Sequence, residues 1–169
     1  STLLRLLSGV YKADGGSITL DGENVFDNPN IKNQIIFLAD TPCFFANASL
    51  KEMARFYASM YSDFSYEIYR NLLSVFPLDE KARLTTFSKG MQRQASLILA
   101  ISTQPKYIFL DEAFDGLDVV MRKVLSNILV DGVVNRGLTV LIASHNLREL
   151  EDMCDHIMII HQGKIIVND

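Results

Sequence analysis

The segment "FLDEAFDGLD" at 109–118 holds the densest chemistry in this 169-residue chain. Two adjacent carboxylates, Asp111 and Glu112, leave the end of an apolar run, "YIFL" at 107–110. A carboxylate taken out of water needs a cation, a proton or hydrogen bonds. Side chains alternate along a strand, so the two acids should point in different directions. One is then placed to hold a metal and the other to face a water. Taken alone, such a pair is better read as solvated, or as a cap for the next helix. A second candidate gives it company. His145, in "ASHN", ends another apolar run. Parallel neighbouring strands would bring His145 to the two acids, although 34 positions separate it from Asp111. A lone histidine is more often structural, but a histidine and two acids at one sheet edge form a catalytic candidate.

A third candidate is "FSKGMQRQ" at 87–94. Ser88 and Gly90 sit at a helix start, where backbone N–H groups and the helix dipole favour an anion such as phosphate. Gly90 lets a ligand come close to the backbone. An ordinary serine cap explains the same residues equally well. The fourth is the opening pair, Ser1 and Thr2. A small hydroxyl residue at a helix start, after a strand and a glycine-rich loop, is where a phosphate loop places its Mg²⁺ ligand. That loop is not in the chain, and "ST" alone carries no weight.

These residues need elements to hold them. "STLLRLLSG" predicts an amphipathic helix with a glycine stop. "GGSITLDGENV" predicts a hairpin turning at Asp21-Gly22. "QIIFL" at 34–38 is a short strand. A helical stretch follows over roughly 49–85, opened by a Ser49/Glu52 capping box, with Leu50, Met53, Ala54 and Tyr57 on one face. Its second helix, about 65–75, ends before Pro77. A third helix starts at Ser88 and turns Met91, Ala95, Ile98 and Leu99 inward. Strand 107–110, helix 118–130, strand 138–144 and a helix from about 146, capped by Asn146 and Glu149, alternate thereafter. A hairpin turning at Gln162-Gly163 closes the chain. Strand-helix-strand alternation implies right-handed crossovers and a parallel sheet, with ligands at the strands' carboxyl ends.

Composition narrows the class. The chain is 49% hydrophobic and 21% charged, with a net charge of -4, which suits one globular domain with a real core. No Lys/Arg run suggests nucleic acid, and no apolar run nears the ~20 residues of a bilayer span. Cys43 and Cys154 show no metal or disulfide spacing, in keeping with a reducing, cytoplasmic compartment.

In order along the chain, these segments resemble the nucleotide-binding domain of ATP-binding cassette (ABC) proteins over essentially the whole length. "STLLRLLSG" is similar to the tail of the phosphate loop and its helix. "FSKGMQRQ" resembles a degenerate family signature, "YIFLDEAFDGLD" the Walker B strand, catalytic glutamate and D-loop, and "LIASHN" the switch-histidine segment. The resemblance implies an α/β fold, a P-loop NTPase-type parallel sheet with a helical signature subdomain inserted at about 43–100, in one domain over 1–169. It implies ATP and Mg²⁺. Ser1 and Asp111 would hold the metal and Thr2 a phosphate. Glu112 would orient or deprotonate the attacking water, and His145 would contact the γ-phosphate. Asp118 with Gly116 would form the loop crossing to a second subunit. Ser88 and Gly90 would touch the γ-phosphate bound by that subunit, so two domains would sandwich two ATP molecules.

Some positions depart from the family pattern. Lys89 and Met91 stand in the signature as in some bacterial exporters, Ala113 replaces the usual Pro, and Asp40 stands where the Q-loop Gln is expected. Asp40 could still reach a water or the metal. The expected function is the ATPase subunit of a transporter, a bacterial exporter, lying on the inner face of the membrane through a transmembrane permease, with a second nucleotide-binding domain and no nucleic acid as partner. The alternatives are a soluble ABC ATPase of translation or DNA repair, or a non-hydrolysing regulatory module; retention of Glu112 and His145 weighs against the last. The chain is expected to be a fragment cut between the phosphate-binding Lys and Ser1, binding MgATP poorly and hydrolysing none by itself.

Overall fold

The computed structural model describes residues 1–146, 150 and 153–168. A three-stranded parallel sheet forms its centre, built from β3 (Ile35–Leu38), β4 (Tyr107–Asp111) and β5 (Thr139–Ala143) in the order β3-β4-β5. The register sets Leu38 beside Leu110 and Leu110 beside Ile142, so all three strands end at one edge. β4 is the middle strand and is buried throughout, which its unbroken apolar run requires.

Alternation along the strands divides the core in two. Ile36, Leu38, Ile108 and Leu110 face the helices, in one cluster with Leu50, Phe76, Leu97 and Leu129. Ile35, Tyr107 and Phe109 face the other way, onto Leu4 of α1 (Thr2–Leu7), Val25, and Ile31 of α2 (Pro29–Lys32). The hairpin β1 (Thr19–Leu20) and β2 (Glu23–Asn24) forms where expected, with positive φ at both Asp21 and Gly22. The terminal hairpin β6 (Met158–His161) and β7 (Lys164–Asn168) turns at Gln162-Gly163 in the same way.

The helical segment comprises α3 (Leu50–Met60), α4 (Tyr66–Val75), a 3-10 turn at Leu84–Thr86 and α5 (Lys89–Ser102). Ser49 caps α3 through the expected reciprocal box: its hydroxyl accepts from Glu52 N, and Glu52 accepts from Ser49 N. Tyr69 and Phe76 are buried in the common core, while Phe45, Phe56 and Tyr66 stay exposed. One further helix, α6 (Val119–Arg136), runs past the 118–130 expected and stops at Gly137, which takes φ 66°. Gly132 lies inside it because Leu138 packs there: a Cβ would stand 2.9 Å from Leu138 Cδ2. The helix expected from about 146, with its Asn146 and Glu149 cap, lies outside the described residues.

Candidate functional site

The parallel register collects the candidate residues. Ala39 and Asp40 follow β3, Asp111 ends β4 with Glu112 next, and Ser144 and His145 follow β5. Asp111 is almost wholly buried, with 4% of its side chain exposed. The Ser1 α-amino nitrogen lies 3.5 Å from Asp111 Oδ1, so the start of α1 sits against the end of β4.

Asp111 and Glu112 do point differently, but strand alternation is not the whole cause. Glu112 adopts a left-handed backbone with φ 50°, a conformation unusual for a residue with a Cβ. Its N–H still donates to Ala143 O at 2.9 Å, which ties the turn to β5. The twist leaves the carboxylate partly exposed beside His145, with Glu112 Oε2 3.0 Å from His145 Nδ1. That oxygen is buried, and among the described residues His145 Nδ1 is its ion-pair contact. Asp115 joins them: one ligand atom each from Glu112, Asp115 and His145 lie within 4.8 Å of one another. Asp115 was not singled out in the sequence, where it is one acid among four in the segment 111–118.

The signature segment is built differently. Ser88 caps α5, its Oγ accepting from Met91 N at 3.2 Å, and is exposed. Gly90 lies against the loop after β4: a Cβ there would stand 2.7 Å from Gly116 O. So Gly90 is required by its own chain, besides any approach of a ligand. Gly116 has φ 75°, and Asp118 just beyond caps α6 by accepting from Met121 N at 2.9 Å. Thr2 is exposed at the start of α1, on a depression it shares with Tyr11, Lys12 and Phe26.

Asp40 has a partner that the sequence reading missed. Its Oδ1 accepts from Arg93 Nη2 at 3.1 Å, and Arg93 Nη1 donates to Ala39 O at 2.9 Å. No signal in the sequence marks Arg93, a lone cation on an otherwise inward helix face.

A parallel α/β sheet with an acid pair and a histidine on its carboxyl edge is consistent with the P-loop NTPase class of fold. A family model described as "ABC transporter" matches residues 1–115, and the chain belongs to that family. It is 31% identical over 157 residues to the ABC transporter ATP-binding protein YtrB of Bacillus subtilis (strain 168), a match covering 93% of this chain and 54% of that protein. The bacitracin transport ATP-binding protein BcrA of Bacillus licheniformis is 30% identical over 169 residues, covering 98% of this chain and 55% of its own. The chain thus spans about half the length of the curated relatives it matches. A solved structure of an ATP binding subunit of an ABC transporter superposes with a TM-score of 0.89 at 25% identity, covering 99% of this chain and 72% of that one.

Proposed function

We propose that this chain is the nucleotide-handling part of an ABC transporter's ATP-binding subunit, which hydrolyses ATP in the full-length protein to drive transport, as an exporter. The observation that carries the reading is the single sheet edge on which Asp111, Glu112 and His145 meet.

Phosphoryl transfer asks a protein mainly for positioning and charge neutralisation. Glu112 suits the water-orienting or base role because its partly exposed carboxylate sits at the sheet edge beside His145. His145 beside it is the group to contact the γ-phosphate. Asp111 and Ser1 fit Mg²⁺, since they offer hard oxygen donors and a buried carboxylate that needs positive charge. Bound there, Mg²⁺ would neutralise phosphate charge. Thr2 would contact a phosphate. Ser88, Gly90 and Asp118 would serve the nucleotide of a second nucleotide-binding domain. The exporter reading draws on Lys89 and Met91 in the signature and on the short helical segment.

Exposed Phe45, Phe56 and Met60 flank a depression lined by Cys43, Phe44 and Tyr57. Contiguous exposed apolar side chains mark an interaction surface, and we assign this one to a cytoplasmic helix of a transmembrane permease. Among the described residues no helix is long and apolar enough to cross a membrane. The permease docked on this patch would hold the protein at the membrane's inner face.

Phosphate release from MgATP by the full-length protein, with and without its permease, tests the reading. Hydrolysis should require Mg²⁺, and Asp111→Asn should raise the Mg²⁺ needed for half-maximal rate. No hydrolysis by the wild-type full-length protein would overturn it.

A further inference from the structure

Arg93 is the charged member of the buried residues of α5. Only 6% of its side chain is exposed, against 61% for Asp40. A guanidinium taken this far out of water is costly unless paired and hydrogen-bonded. Both requirements are met by two successive residues after β3, the backbone carbonyl of Ala39 and the side-chain carboxylate of Asp40. The two bonds leave through different nitrogens of a planar fork, so they fix the orientation of that segment as well as its distance.

The position of Arg93 gives the pair its meaning. It lies three residues after Gly90 and five after Ser88 on the same helix start. Its neighbour Gln92 donates to Leu84 O and Phe87 O, anchoring that turn from behind. Arg93 anchors it in front, to the sheet edge that carries Asp111, Glu112 and His145. The pair therefore spans two parts of the proposed site that are 53 residues apart in sequence.

We propose that Arg93 and Asp40 are a positioning pair that holds the Ser88–Gly90 helix start in fixed relation to the sheet edge, with Asp40 acting as the counter-ion of Arg93 rather than as a metal ligand. A carboxylate whose charge is already met by a guanidinium has less to offer a divalent cation. The inference rests on the ATPase reading for its kinetic test, but the pairing itself has a test that does not.

The experiment is a double-mutant cycle in the full-length protein with Arg93→Met, Asp40→Asn and both together, plus Arg93→Lys as the conservative variant. Chemical unfolding reads the pair alone: the two positions should couple by about tenfold or more in the unfolding constant. ATP hydrolysis reads the role. Each single variant should lose about tenfold or more in kcat, the double variant should be no worse than the poorer single, and Arg93→Lys should recover part of the rate. The Mg²⁺ concentration for half-maximal hydrolysis should stay within about twofold of wild type in Asp40→Asn, against the tenfold or greater rise that loss of even an outer-shell metal contact gives. Additive effects on unfolding, losses in kcat that multiply, or a tenfold rise in the Mg²⁺ requirement of Asp40→Asn would overturn the proposal. If Arg93→Met does not fold, Arg93→Lys and Asp40→Asn carry the same comparison. Absence of hydrolysis in the wild type would count against the ATPase reading and leave the unfolding cycle to judge the pair.

Discussion

At the scale of single residues, the site depends on two unusual backbone features. The left-handed turn at Glu112 aims a carboxylate away from the line of β4 and toward His145. The missing Cβ at Gly90 lets α5 start against Gly116 O. Two substitutions probe them. His145→Ala removes the imidazole beside Glu112 and should lower kcat of the full-length protein by about a hundredfold or more, the scale of one lost group that stabilises transition-state charge; steady-state phosphate release measures it, and an unchanged rate would separate His145 from the chemistry. Gly90→Ala places a carbon 2.7 Å from a backbone oxygen. The helix start or the Gly116 loop must then shift, at a cost of about 1–3 kcal/mol. Denaturant unfolding should show that loss, and hydrolysis should fall with it because the same loop carries Asp118.

At the scale of elements, most boundaries were legible because local chemistry and tertiary packing agree. The Ser49/Glu52 box, the Asp21-Gly22 turn and the unbroken apolar run of β4 each have one good structural solution, and each forms. The α3 cap yields a pH test. Hydrogen bonds from the Ser49 backbone N–H and then its hydroxyl hold the Glu52 carboxyl below its ordinary value of 4.5. The folded value is the lower one, so this contribution is present in full above about pH 4.5 and is lost as pH falls through the folded value. Unfolding experiments should therefore show Glu52→Gln less stable than wild type at neutral pH, with the gap closing below that pH. Ser49→Ala should cost about 1 kcal/mol at pH 7. What the sequence hid were features set by partners far along the chain. Gly132 suggests a helix end until Leu138 is seen packed against it. Arg93 has no visible purpose until Ala39 and Asp40 arrive beside it. The short helix α2 has its signal in Asn28 and Pro29: Asn28 caps it through its side chain, with Pro29 in its first turn.

At the scale of the molecule, the helical segment and the sheet share one core, from Tyr69 and Phe76 to Ile108 and Leu110. The surface patch around Phe45 and Phe56 lies outside that core, although Phe44 and Tyr57 beside it pack against the core. Core and surface should separate under mutation. Phe76→Ala, in a fully buried position, should cost about 3–5 kcal/mol. Phe45→Ala with Phe56→Ala should leave the melting temperature nearly unchanged while weakening copurification with the proposed permease; loss of stability with intact copurification would return those rings to the core. The proposed function puts hydrolysis at Glu112. The most direct measurement is steady-state ATP hydrolysis by full-length Glu112→Gln, with bound nucleotide and oligomeric state read on the same samples. The account predicts that turnover is abolished while ATP stays bound and a dimer accumulates; normal turnover by this variant would contradict it.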